Sequence, residues 1–131
     1  MGRRARKLRG IRVLVIDDDG PERQFLRSAL VSSGATVTAA GTADTLKAAF
    51  IADVIVCDLA SAETAGTEFL SELRHVHGRL NRMVPAIALV PAGTRSARVR
   101  EAGAFQMFVT KPVDVGELRD IVLEAACQYR R

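Results

Sequence analysis

Five short aliphatic runs, at residues 11–16, 35–39, 53–57, 86–90 and 106–109, are separated by segments whose apolar residues recur at helical spacing. A run that is apolar at nearly every position suits a strand covered on both faces. Strands of that kind in strict alternation with helices predict an α/β architecture. The expected form is a doubly wound, five-stranded parallel sheet between two layers of helices, five in all.

The intervening segments carry helix punctuation. Pro21 follows Asp19-Gly20 at a position suited to a first turn, and Phe25, Leu26, Ala29 and Leu30 then form one face. Gly34 is placed to close that helix in a left-handed conformation. Thr42 is a candidate cap for a second helix with Leu46, Ala49 and Phe50 inward. Phe69, Leu70, Leu73 and Val76 form a third stripe ending near Gly78, and Ala97, Val99 and Ala102 a short fourth one stopped by Gly103. The fifth is the clearest. Asp114 caps, Glu117 stands three residues on, and Leu118, Ile121, Val122 and Ala125 fall at i, i+3, i+4 and i+7.

A length of 131 residues suits one domain, and 48% hydrophobic with 26% charged residues is the balance of a soluble globular chain. No apolar run approaches the roughly 20 residues needed to span a bilayer, and no apolar segment follows the N-terminal basic residues as in a signal peptide. Cys57 and Cys127, neither in a CxxC pair, fit a reduced cytoplasmic setting and argue against zinc. The net charge of +4 comes from the ends: residues 1–9 hold five Lys/Arg, and Arg130 and Arg131 two more. What remains is 12 Lys/Arg against 15 Asp/Glu, or −3 over residues 10–129. A basic end of this kind is either a solvated leader or a contact for nucleic acid or anionic lipid; the folded body itself predicts neither nucleic-acid nor membrane binding. The expected limits are a flexible basic tail over 1–10, one domain over 11–128 and a short tail over 129–131.

Sites in such sheets form beyond the carboxyl ends of the strands. Asp17, Asp18 and Asp19 follow the first run, Asp58 the third, Pro91 the fourth, and Thr110-Lys111-Pro112 the fifth. No GxGxxG or GxxxxGK[ST] loop accompanies them, which argues against a nucleotide-binding protein. Clustered carboxylates repel unless protonated or neutralised by a cation, and hard oxygen ligands that leave room for water suit Mg²⁺. An aspartate beside such a metal can attack phosphorus, with a lysine opposite to balance phosphoryl charge. Singly, each residue has a plainer reading, Asp as a helix cap and Lys-Pro as a turn; together they point to a site.

These residues resemble a known family, the receiver (REC) domains of two-component response regulators, in the manner of the chemotaxis regulators. The resemblance covers residues 11 to about 128. It is carried by VLVIDDDG, by VIVCDL with Gly66 eight residues after Asp58, and by EAGAFQMFVTKPVD. It implies a flavodoxin-like sheet of strand order 2-1-3-4-5 and a signalling domain, not an enzyme, that takes a phosphoryl group from a histidine kinase or phosphotransfer protein. By motif position, Asp58 would be the acceptor, Asp18 a direct and Asp17 a water-mediated ligand of Mg²⁺ (or Mn²⁺), and Ala60 the donor of a backbone carbonyl to the metal. Lys111 would be the charge partner of the phosphoryl group, and its bond to Pro112 a cis peptide. The resemblance also implies an effector face on the fourth helix, fifth strand and fifth helix, and allows a weak homodimer. Asp19 matches no required acid and reads as a helix cap.

The chain departs from the family at the switch. Val90 stands where a Ser or Thr normally bonds a phosphoryl oxygen, and a hydrogen bond to a charged group is worth about 1.5–3 kcal/mol. Thr94 is an alternative source of that hydroxyl after a loop shift. Phe108 fills the aromatic switch position without a hydroxyl, and Ala62 replaces a common proline. Three functions follow: a Mg²⁺-dependent phosphoacceptor, a phosphorylation-independent interaction module that Val90 favours, and a haloacid-dehalogenase-like hydrolase. The last is disfavoured because IDDDG lacks the Thr or Val of DxDx[TV]. His75 and His77, two apart, would face different sides of a helix, and Cys57 reads as a small core residue.

Overall fold

The computed structural model describes residues 7–41, 52–65, 72, 84–93 and 105–129. Its elements are β1 (Arg12–Ile16), α1 (Gly20–Ser32), β2 (Thr36–Ala40), β3 (Val54–Asp58), α2 (Leu59–Ala65), β4 (Ala86–Val90), β5 (Met107–Thr110) and α3 (Val115–Tyr129). All neighbouring strands are parallel, in the order β2-β1-β3-β4-β5. The doubly wound sheet is therefore the expected one, each strand within one residue of its predicted bounds. Of the five predicted helices, the first and last are present. The second, third and fourth, with His75, His77 and Thr94, fall outside the described residues. In contrast, α2 occupies a stretch for which none of the five helices is predicted.

Alternate residues of each central strand feed opposite cores. Val13 and Val15 join Val54, Val56, Ile87 and Leu89 on one face, beneath Leu26 and Leu30 of α1 and Leu118 and Val122 of α3. Leu14, Ile16, Ile55 and Cys57 face the other way, against Leu59 and Ala62 of α2. That is why the central strands β1, β3 and β4 are apolar at nearly every position: both of their faces are covered.

Local chemistry sets the helix ends. Pro21 lies in the first turn of α1, and Gly34, at φ 102°, ends it. There Gly34 N–H donates to Val31 O (2.9 Å) and Ala35 N–H to Leu30 O (3.1 Å), the paired bonds of a Schellman motif. For α3, Asp114 Oδ1 accepts the Glu117 N–H at 2.9 Å. Asp19 holds the N-cap position of α1, but its side chain makes no capping bond; its carbonyl accepts the Arg23 N–H instead.

Two sequence expectations change. Phe25, expected on the inner face of α1, is 49% exposed, and Leu26 and Leu30, one turn apart, line that face. The flexible tail expected over 1–10 is also too long at its folded end, because Leu8 is fully buried and its N–H donates to Ser33 O at 2.8 Å. An apolar residue that can enter a core gains about 1.5–3 kcal/mol, which outweighs the basic character of its neighbours. No helix among the described residues is long and apolar enough to cross a membrane.

Leu118 has no exposed surface and anchors α3 to the sheet. Leu118→Ala is expected to cost about 2–5 kcal/mol of folding stability, read as a lower urea midpoint with an unchanged slope.

Candidate functional site

Strand register brings the carboxylates together. Ile16 pairs with Cys57, so the next residues of the two strands, Asp17 and Asp58, emerge side by side at the carboxyl edge of the sheet. Both are buried, at 0% and 4% exposure, while Asp18 is exposed. Ligand oxygens of Asp17, Asp18 and Asp58 all lie within 4.8 Å of one another.

The two oxygens of Asp58 have different partners. Oδ1 accepts from Lys111 Nζ at 2.5 Å, while Oδ2 accepts from Ser61 N–H at 2.9 Å and faces Ser61 Oγ at 3.1 Å. The Ser61 N–H is the third of α2, so Asp58 is also the N-cap of that helix, an arrangement worth about 0.5–2 kcal/mol. Ser61 Oγ lies 2.8 Å from Asp18 Oδ1 and accepts the Asp18 N–H at 3.1 Å. The hydroxyl thus sits between two carboxylates and offsets part of their repulsion.

Lys111 reaches the site from the end of β5. Its N–H donates to Val90 O at 2.7 Å, which ties it to β4, and the Lys111–Pro112 peptide is cis. The ammonium also contacts Glu22, at 2.8 Å from Oε1 and 3.1 Å from Oε2. Burial alone would lower the lysine, but its bonds to Asp58 and Glu22 hold it above its ordinary value, so it stays charged. Val90 places its apolar side chain in the core beside Cys57 and Phe105. Phe108 packs against the same cluster, with its ring 6.4 Å from that of Phe105. Burial pushes the Cys57 thiol far up and keeps it neutral.

Asp17 is the strained member. Its Oδ1 accepts the Asp19 N–H at 2.9 Å, but its Oδ2 is buried with no hydrogen-bond partner. Burial raises its carboxyl from 3.8 to about 7, with Glu22 and Asp58 adding to the shift and the Asp19 N–H opposing it. A buried carboxylate oxygen without a partner, on a residue whose ligand oxygen lies among those of Asp18 and Asp58, fits a divalent cation, which would offset the missing bond. Asp17, Asp18 and Asp58 would hold it. Ala60, expected to offer its carbonyl, lies in the first turn of α2, where carbonyls point along the helix axis. Asp53, an acid at the opposite edge of the sheet, takes no part; Arg12 bonds it through both N–H and guanidinium.

Sequence reasoning missed Ser61 and Glu22. The spacing Asp58-x-x-Ser61 is a capping pattern, legible only if a helix starts directly after β3. Glu22 reads as an ordinary first-turn acid, and its reach to Lys111 depends on how the start of α1, a helix packed on β1 and β2, meets the residue that follows β5.

The family model for the response regulator receiver domain matches residues 13–123. The chain belongs to that family. It is 34% identical over 116 residues to an uncharacterized 14.6 kDa protein of Leptolyngbya boryana, covering 84% of this chain and 86% of that one. It is also 34% identical over 112 residues to the KDP operon transcriptional regulatory protein KdpE of Escherichia coli, covering 82% of this chain but 47% of KdpE, about half its length. Among solved structures, the fold resembles a chain from the co-crystal structure of the Saccharomyces cerevisiae histidine phosphotransfer signaling protein Ypd1 and the receiver domain of its downstream response regulator Ssk1. The TM-score is 0.75 at 20% identity, covering 92% of each chain.

The Asp17 shift has a checkable sign. Its folded pKa lies above its unfolded one, so the folded state binds more protons between about pH 4 and 7. Metal-free protein is therefore expected to lose stability as pH rises through that window. Mg²⁺ must displace the Asp17 proton, so its affinity should rise roughly tenfold per pH unit below about 7 and level off above it. Calorimetric titration across pH checks this, and Asp17→Asn should remove most of the slope.

Proposed function

We propose that the domain is a divalent-metal-dependent phosphoacceptor, with Asp58 taking a phosphoryl group from the phosphohistidine of a histidine kinase or phosphotransfer protein. The observation that carries this reading is the division of labour at Asp58: one oxygen on Lys111, the other toward Asp18 and Ser61. Oδ1 attacks phosphorus, the new P–O bond forms as the P–N bond breaks, and the leaving imidazole takes a proton from solvent. Lys111 stays beside the acceptor oxygen to offset the negative charge brought in. Asp17, Asp18 and Asp58 would hold a divalent cation, which when bound would supply positive charge opposite the phosphoryl group. The fold likeness to a receiver domain seen with Ypd1 supports a phosphotransfer partner of that kind. On this reading the protein turns over no free substrate of its own beyond losing its phosphoryl group to water. The signal would leave through the face that includes β5 and α3, where Lys111 is tied to Val90 and Phe108 borders the core.

One observation favours a second reading, a domain whose partner binding ignores phosphorylation. Val90 brings a side chain without a hydroxyl to the end of β4, where the family's phosphoryl contact would lie. The expected outcome is that Mg²⁺ with acetyl phosphate adds one phosphoryl mass to the wild-type protein and none to Asp58→Asn. Val90→Thr should react as well and show larger spectral changes along β5. No mass gain in the wild type would leave the second reading standing.

A further inference from the structure

The ammonium of Lys111 has three hydrogens and three close carboxylate oxygens: Asp58 Oδ1 at 2.5 Å and the two oxygens of Glu22 at 2.8 and 3.1 Å. It is thus fully occupied before any phosphoryl group arrives. Glu22 and Lys111 are separated by 89 positions in the chain, and their side chains are only 23% and 26% exposed. The contact is therefore partly shielded from water and belongs to the tertiary structure. Glu22 also lies close enough to Asp17 to contribute to its raised carboxyl, after burial. The side chain that bonds the lysine thus also stands near Asp17, one of the metal-facing acids.

A phosphoryl group on Asp58 Oδ1 would bring between one and two negative charges next to Lys111. The hydrogen released from Asp58 Oδ1 could turn to the phosphoryl oxygens, but any further bond from Lys111 would have to use hydrogens that now serve Glu22. A displaced Glu22 carboxylate would still stand within a few ångströms as an uncompensated like charge.

We propose that Glu22 is an internal competitor for Lys111, an acid that occupies the phosphoryl-binding lysine in the resting state and holds the site's affinity for a phosphoryl group below what Asp58, Lys111 and the cation would give alone. This inference rests on Asp58 being the acceptor. Glu22 is a positioning residue, acting through Lys111 and not on phosphorus. Its first-turn location in α1 would by itself stabilise only the helix, and that role would leave ligand affinities at the sheet edge unchanged.

The test is Glu22→Gln, which keeps the shape and removes the charge. The chain has no tryptophan, so affinities are read by calorimetry or NMR. At saturating Mg²⁺, beryllofluoride should bind the variant roughly five- to thirtyfold more tightly than the wild type, and the gain should shrink with added salt. Without beryllofluoride, Mg²⁺ alone should bind the variant a few-fold more weakly, because a nearby negative charge is gone. Opposite shifts for cation and anion are what a charge competing for Lys111 produces; a loosened fold weakens both. Glu22→Ala should shift both affinities in the same directions, which guards against an effect peculiar to the amide. Unchanged or weaker beryllofluoride binding by both variants, with normal binding by the wild type, overturns the competitor role alone. Failure of beryllofluoride to bind any of the proteins overturns this role and the phosphoacceptor reading together.

Discussion

The register of β1 against β3 is the constraint on which the site depends. Pairing Ile16 with Cys57 sets Asp17 beside Asp58 at the edge of a sheet whose two faces are roofed. Two carboxylates in that position, with a third from Asp18, cannot all ionise without help. Help comes from three directions: the Lys111 ammonium on one oxygen of Asp58, the Ser61 hydroxyl between Asp58 and Asp18, and protonation of Asp17 near neutral pH. The cluster is thus balanced but not saturated, since a buried oxygen of Asp17 still lacks a partner. A site left in that condition favours a small, hard cation.

Lys111 links this cluster to the rest of the sheet. Its side chain is shared between Asp58 and Glu22, while its backbone is fastened to Val90 at the end of β4. The ammonium is thereby tied to the place where β4 and β5 meet, next to Phe108 and the Phe105 ring. The missing hydroxyl at Val90 does not disturb that linkage, because the contact runs through a carbonyl.

Much of this was legible in the residues. Aliphatic runs without polar alternation predict buried parallel strands, and the acids and lysine following them fall on one edge whatever the detailed packing. The strand order came from the family resemblance, since five such runs permit several orders. Errors cluster where an outcome depends on one residue's position against a neighbouring element. Phe25 and Leu26 are adjacent on α1, and the small rotation that decides which of them faces the sheet is below the resolution of a periodicity argument. Leu8 looked like part of a charged leader because its neighbours are basic, yet a single leucine finding the core extends the fold. Asp19 has the right residue type for a cap, but Asp17 claims its N–H and its side chain is left uninvolved in the helix. Ser61 and Glu22 were illegible for a further reason: each acquires its role from a residue brought to it by the tertiary fold.

Binding of Mn²⁺ in place of Mg²⁺ tests the central claim most directly, because its paramagnetism marks its own location. In nitrogen-labelled protein near neutral pH, low Mn²⁺ should broaden the amides of Asp17, Asp18, Asp58 and Ser61 first. The amides of Arg12 and Asp53, at the far edge of the sheet, should stay sharp. Broadening spread over the acidic surface, or an unchanged pattern in Asp58→Asn combined with Asp18→Asn, would contradict it.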